Sequence, residues 1–199
     1  MRLRAGIALA VLLLGPALAP IPPEPPGYRT EDYRSPTPAT LTGATAIGSA
    51  EAVALWSGKA AVFIDVMPQP PRPANLPAGT LWRQQPRESI PGAIWLPNVG
   101  FGELAPETEA YFRRGLAAAT GNDPSRAVVI FCMRDCWMSW NAAKRALGFG
   151  YTAVYWFSDG TDGWRAAGQS VVRVEPAPLR PASTSEAGST CSFAAQPSC

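Results

Sequence analysis

The sequence contains no histidine. That absence excludes Ser-His-Asp and Cys-His catalysis, histidine-ligated zinc and CxxCH haem attachment, all of which need an imidazole. Net charge is scarce too. Lys and Arg number 17 against 15 Asp and Glu, a balance of +2, and Arg2 and Arg4 fall in a segment expected to be removed. A nearly neutral chain has no electrostatic footprint for nucleic acid, so no nucleic-acid partner is expected. Cysteine is limited to four residues, whose spacings lack the Cys-x2-Cys knuckle of a four-thiolate zinc site. No apolar run is long enough to span a bilayer comfortably. No phosphate loop, EF-hand loop or dinucleotide fingerprint occurs, and no cofactor or metal is expected.

What is plentiful is proline, 22 residues, with 18 glycines, so long irregular stretches should accompany the core. A length of 199 residues suffices for one mid-sized domain that needs no disulfide to fold. Residues 1–19 (MRLRAGIALAVLLLGPALA) combine two arginines, an apolar run, a Gly-Pro break and small residues, as a secretory signal does. Residues 20–44 form a proline-rich extended arm in which Tyr28 and Tyr33 offer docking groups. The domain should occupy 45–175, and residues 176–199 read as a low-complexity tail. Export implies an oxidising compartment, the periplasm, where cysteines are usually paired.

Within the domain the pattern alternates strand and helix. Ser49 to Trp56 reads as a short helix, N-capped by Ser49 and stopped by Gly58. Ala60 to Val66 is a continuous apolar run suited to a buried parallel strand. Residues 67–89 are a long proline-rich insertion of the kind that is usually functional. Ile90 to Leu96 leads into a second strand, and Pro106 to Ala119 makes a helix with acids in its first turn. Ala127 to Phe131 is a third buried strand, Ser139 to Leu147 a helix stopped by Gly148, Ala153 to Phe157 a fourth strand, Asp162 to Ala167 a helical turn, and Val171 to Val174 an edge strand. Arg113-Arg114 and Lys144-Arg145 read as solvated helix faces. The fold class is therefore α/β, a central parallel sheet of about five strands with helices on both faces and its ligand site at the strands' carboxyl ends.

The stretch with chemistry in it is Cys132-Met-Arg-Asp-Cys136-Trp-Met-Ser139. A buried strand delivers Cys132 to a loop that turns into a helix, so loop amides and the helix N-terminus can stabilise a thiolate there. Cys136, four residues on, can resolve a sulfur carried on Cys132 as a disulfide. Two blander readings stand beside this one: a permanent Cys132–Cys136 disulfide, or a Cys136 that is a small apolar residue packed under Trp137. Of the three pairings that four cysteines allow, Cys132–Cys136 with Cys191–Cys199 is the simplest because both are local. Trp137 and Trp140 either shield the pair, form a docking surface, or belong to the core. Asp159 and Asp162 are ordinarily turn formers beside Gly160.

The succession AVFIDV, ESIPGAIWLP, AVVIFC, a loop, then NAAKRALGFGYTAVYWFSDGTDGW resembles a rhodanese domain over roughly residues 45–170. Asp65, Pro91-Gly92-Ala93, Cys132, Ala142-Ala143, Gly150-Tyr151, Gly160 and Gly163-Trp164 carry the likeness. It implies a rhodanese-like α/β fold and a cysteine that carries a persulfide. The loop departs from the usual Cys-x-x-Gly-x-Arg-Ser, and its end holds Trp137-Met138 where rhodanese-fold phosphatases place a phosphate-clamping arginine, which speaks against phosphatase chemistry. The leader, CMRDCW and the start of the mature chain are also similar to an exported family named for a cysteine-pair-tryptophan motif and associated with pyrroloquinoline-quinone-dependent alcohol catabolism. That likeness implies a periplasmic accessory role beside quinoprotein dehydrogenases and their cytochromes.

The sequence therefore points to a redox-active Cys132/Cys136 pair acting on a thiol, disulfide or persulfide partner. Arg134, Asp135, Trp137, Ser139 and Asp65 are expected around the reacting sulfur, and Asp135 or water would move protons. Two alternatives remain: a thiosulfate sulfurtransferase using Cys132 with Arg134 on the anion, and a non-catalytic periplasmic binding module. Cys191 and Cys199, beyond the rhodanese-like region, are expected to be dispensable.

Overall fold

The computed structural model describes residues 21–83 and 85–178. The expected leader and most of the tail, with Cys191 and Cys199, lie outside the described residues. In chain order the elements are β1 (Thr45–Ile47), α1 (Ser49–Ser57), β2 (Val62–Asp65), β3 (Arg87–Ser89), β4 (Ile94–Trp95), α2 (Pro106–Thr120), β5 (Val128–Phe131), α3 (Trp137–Gly148), β6 (Val154–Phe157), α4 (Gly160–Ala166) and β7 (Val172–Val174). Five strands pair in the order β1-β6-β5-β2-β4, and each pairing is parallel. The architecture is α/β, as expected.

β5 is buried at all four positions because it lies between β2 and β6 with a covered face on each side. Its side chains alternate between two cores, as the pleat requires. Val128 and Ile130 join Ile64, Leu96, Phe112, Leu116, Trp140 and Trp156 under α2 and α3. Val129 and Phe131 join Ile47, Phe63, Phe157 and Trp164 under α1 and α4.

The fifth strand of this sheet is β1, which is too short for a periodicity signal. The stretch at 171–174 belongs elsewhere: β7 pairs antiparallel with β3 in a separate two-stranded ribbon. So the last three residues of the proline-rich insertion are not loop. Ser49 is the first helical residue of α1 rather than its cap; Gly48 is the N-cap, and Gly58 ends the helix as expected. α3 begins two residues earlier than its apolar pattern indicated, with Cys136 as N-cap, and it runs through Gly148 to Phe149. At the edge strand, Pro176 bridges to Trp95, the Ala177 N–H donates to the Trp95 carbonyl and the Tyr111 hydroxyl donates to the Ala177 carbonyl. The chain therefore stays tied to the sheet at least as far as Ala177. Among the described residues no helix is long and apolar enough to cross a membrane.

Residues 21–44 lie along α3, held by polar side chains of that helix. Asn141 donates to the Arg29 carbonyl at 2.8 Å and accepts from the Arg29 N–H at 2.9 Å. Lys144 is not a free cation: its ammonium donates to the carbonyls of Pro25, Pro26 and Gly27 and sits 4.7 Å from the Trp140 ring centroid. Arg145 is buried, contrary to the solvated face its sequence suggested. Its guanidinium donates to the carbonyls of Val99, Phe101 and Gly102 and stacks 4.2 Å from the Tyr28 ring centroid. A lysine and an arginine beside apolar positions resemble a solvated face in sequence because nothing there shows that carbonyl-rich chain will pass over them.

Arg145→Ala would leave three carbonyls without their charged donor. Urea unfolding is expected to show a loss of about 3 kcal/mol, since hydrogen bonds from charged groups contribute about 1.5–3 kcal/mol each and are not additive. Arg113→Ala, on the neighbouring helix, should cost less, because its ion pair with Glu109 is exposed to solvent.

Candidate functional site

The parallel pairing of β2 with β5 places Asp65 opposite Phe131, so Val66-Met67 and Cys132 leave the sheet side by side at its carboxyl edge. Ligand sites in open α/β sheets sit at such edges. The Cys132 carbonyl accepts three hydrogen bonds, from the Thr161 N–H at 3.1 Å, the Thr161 hydroxyl at 3.3 Å and Arg87 Nη2 at 3.2 Å. Met133 makes an antiparallel bridge with Gly160. Gly160 has φ +50°, and a Cβ there would lie 2.6 Å from the Cys132 carbonyl oxygen, so only glycine lets α4 start so close to the loop. Asp135, at φ 52°, then turns the chain back on itself. The reversal brings the Cys136 Cα to 6.4 Å from that of Cys132, and the two sulfurs form a disulfide.

The disulfide faces inward. Cys132 is 0 % and Cys136 1 % exposed, while Arg134 and Asp135 form the solvent-facing crest of the loop. The thioether sulfur of Met67 lies 3.4 Å from Cys132 Sγ. The expected convergence of loop amides on Cys132 does not occur at three of the amides. The Arg134 N–H donates to Asp162 Oδ2, the Trp137 N–H to the Tyr33 carbonyl, and the Ser139 N–H to the Cys136 carbonyl. The arm thus occupies part of the helix N-terminus that a thiolate or anion would otherwise use.

The other expected site residues divide by role. Arg134 is held at the exposed crest by an ion pair with Asp159 at 3.0 Å. Asp159 and Asp162, read in sequence as turn formers, therefore hold the loop's crest. Ser139 is buried; its hydroxyl donates to the Cys136 carbonyl and accepts from the Trp156 indole N–H, both at 3.0 Å. It fixes the loop from below and does not line an opening. Trp137 is buried too, its indole N–H donating to Ser35 Oγ and the Pro36 carbonyl. Trp137 and Trp140 meet edge to face at 5.5 Å beneath the arm, which leaves neither as a docking surface while the arm is in place.

Asp65 is fully buried and gathers the surrounding chain. Its Oδ1 accepts from the Met67 N–H at 2.9 Å; its Oδ2 accepts from Arg87 Nε at 2.8 Å and from the Ser89 hydroxyl, and pairs with Arg87 Nη2 at 2.7 Å. Burial pushes the carboxyl pKa up, and Arg87, Ser89 and the Met67 amide pull against it without fully offsetting the desolvation. Sequence reasoning missed Arg87 and Met67. The one signal for Arg87 was that a buried strand-end aspartate requires a cation from somewhere. Met67 carried a signal only through register: two residues past a strand adjacent to the cysteine strand.

Beyond Met67 opens a cavity of about 520 Å³, lined by Met67, Pro68, Trp95, Arg87, Arg165 and Arg173 among others. Among the described residues no group of three or more Cys, Asp or Glu side chains is placed to hold a metal ion.

No family model matches the chain, and no match appears among curated proteins. Similar solved structures include the polysulfide-sulfur transferase homodimer from Wolinella succinogenes, at 18 % identity and TM-score 0.42 over 65 % of this chain and 79 % of that one. Another is thiosulfate sulfurtransferase from Pseudomonas aeruginosa, at 21 % identity and TM-score 0.43 over 67 % of this chain and 21 % of that one. At this degree of overlap neither says what this chain does.

Arg87→Ala should destabilise the protein by about 3–5 kcal/mol at neutral pH, because it strands a buried carboxylate. Without its counter-charge Asp65 has a folded-state pKa raised further above the unfolded value, so the folded state binds more protons between the two. Stability of the variant therefore falls as pH rises through that window and recovers as pH drops below it. Denaturation curves across pH should show the deficit against wild type shrinking on the acid side; a deficit constant with pH would mean Asp65 is not the group left stranded.

Proposed function

We propose that this chain is an exported, rhodanese-like protein that handles thiols, disulfides or persulfides through Cys132 and Cys136, in support of periplasmic quinoprotein-dependent alcohol catabolism. The observation that carries the chemistry is the pairing of these two cysteines, four residues apart, at the carboxyl end of the central parallel strand. Export and the quinoprotein setting rest on the leader-like residues 1–19 and on the CMRDCW likeness. The partner would be a periplasmic thiol or disulfide protein, or the dehydrogenase and cytochrome system itself.

In the reduced protein, Cys132 thiolate attacks one sulfur of a partner disulfide. A Cys132–partner bond forms and the partner's other sulfur leaves as a thiolate. Cys136 thiolate then attacks Cys132 Sγ, the partner's second sulfur leaves, and two electrons have passed from the cysteine pair to the partner. With a persulfide donor, Cys132 takes the terminal sulfur and the donor leaves as a thiolate. Cys136 then displaces that sulfur as hydrosulfide, closing the same disulfide. Protons move through water or through Asp135 on the crest, since no imidazole exists.

Thiosulfate transfer through Cys132 is the alternative: it would use Arg134, the loop's one guanidinium, which pairs with Asp159 at the exposed crest above the buried sulfurs. The complete burial of the disulfide favours one competing reading, a permanent crosslink in a binding module. Replacing both cysteines with serine separates the two. A crosslink or binding module keeps supporting growth on alcohols, and the redox protein does not.

With the reduced protein and a disulfide partner, Cys132→Ser should abolish mixed-disulfide trapping, and Cys136→Ser should prolong the trapped species at least about tenfold. Non-reducing gels with mass spectrometry read both outcomes. Trapping that survives Cys132→Ser would overturn the assignment of the nucleophile.

A further inference from the structure

Resting on that reading, we propose that the cavity beyond Met67 is the entry and binding site for the reacting thiol, that it favours a thiol on an anionic molecule, and that Met67 is the gate between cavity and disulfide. The loop's crest gives no approach, because Arg134 and Asp135 face solvent while both sulfurs are buried beneath. The arm and α3 occupy a second side, where the Trp137 N–H is bonded to the Tyr33 carbonyl. On a third side the Met67 side chain stands against Cys132. Met67 touches Cys132 Sγ at 3.4 Å and at the same time lines a cavity of about 520 Å³, a volume ordinary for small-ligand sites.

Met67 is built like a gate. Its backbone is held at both polar groups: the N–H donates to Asp65 Oδ1 at 2.9 Å and the carbonyl accepts from the Trp95 indole at 2.7 Å. Only the side chain can move, and an unbranched thioether with three rotatable bonds does so readily. Its rotation into the cavity would uncover Cys132 Sγ without disturbing Asp65 or the sheet. Among the charged side chains that line the cavity, three guanidiniums, Arg87, Arg165 and Arg173, face one carboxylate, Glu88. Arg87 is used by Asp65; Arg165 and Arg173 make exposed pairs with Glu88 and Glu175, which solvent screens and an incoming anion can exchange at little cost. Apart from Met67 and Gln85, the remaining wall is proline and indole, suited to a short organic body.

Reduction of the oxidised protein then proceeds in two balanced steps. A thiolate from the cavity attacks Cys132 Sγ, a mixed disulfide forms and Cys136 leaves as thiolate. A second thiolate attacks the bound sulfur, an external disulfide is released and Cys132 becomes a thiolate. Two electrons pass from the two external thiols to the cysteine pair.

The test measures the reduction rate of the Cys132–Cys136 disulfide in the full chain by 2-mercaptoethanesulfonate, which is anionic, and by 2-mercaptoethanol, which is neutral. Met67→Ala should raise both rates at least tenfold, Met67→Phe should lower them at least threefold, and Met67→Leu should return the rate toward that of wild type. Arg165→Ala/Arg173→Ala should reduce the sulfonate-to-mercaptoethanol rate ratio at least threefold. Entry through a gate is insensitive to sub-denaturing urea, whereas entry by local unfolding accelerates with it. Rates that climb with urea, or that stay within twofold across the Met67 series, would overturn the gate while leaving a reducible pair and the redox function intact. A disulfide that no thiol reduces in any folded variant would overturn both.

Discussion

The register between β2 and β5 is the constraint on which the rest of the site depends. Asp65 opposite Phe131 means that whatever follows β2 must lie beside whatever follows β5, and here those are Met67 and Cys132. A slip of one residue would turn Phe63 and Ile64, and Val129 and Ile130, to the wrong cores. The two separate apolar clusters, one per face, therefore lock the sulfur geometry from a distance. The site inherits its precision from packing; no group at the site itself has to enforce it.

A second layer of organisation comes from chain outside the sheet. The segment at 21–44 reaches α3 through backbone carbonyls that accept from Asn141, Lys144, Trp137 and Trp140. Extended proline-rich chain has few internal hydrogen bonds, so its carbonyls are free to bind donors elsewhere. α3 supplies those donors on the face that would otherwise present two tryptophans to water. The same contact takes up the Trp137 amide at the helix N-terminus, which links the covering of the aromatic pair to the electrostatics of the cysteine loop.

The α/β class, the central strand, Cys132 at its end and the nearness of Cys136 were legible in the sequence because each follows from local pattern: a continuous apolar run, a four-residue spacing, a helix after a loop. What was not legible depended on contacts between distant segments. β1 is three residues long with two of them exposed, so neither length nor periodicity could mark it. Arg145 becomes a core residue only because the loop at 99–102 turns its carbonyls toward it. Arg134 sat in the expected loop, yet what holds it there was not visible, since the two aspartates that bond to it come from a turn twenty-five and more residues away. Asp65 stood out by its position at a strand end, but its partner Arg87 lies across the proline-rich insertion, and no local rule spans that distance.

That insertion has an unusual form of attachment. It leaves the sheet at Met67, whose amide is bonded to one oxygen of Asp65, and it returns at Arg87 and Ser89, which bind the other. Both ends of a twenty-residue excursion are thus tied to a single carboxylate at the rim of the sheet. Because the entropy of closing such an excursion grows only slowly with its length, the segment between those ties can be lengthened, shortened or exchanged at little cost, while the sulfurs beneath it keep their coordinates. Pro68, Pro70, Gln85 and Pro86, which line the cavity beside Met67, belong to that excursion, so a different proline-rich excursion on the same carboxylate would reshape the cavity while leaving the same disulfide beneath it.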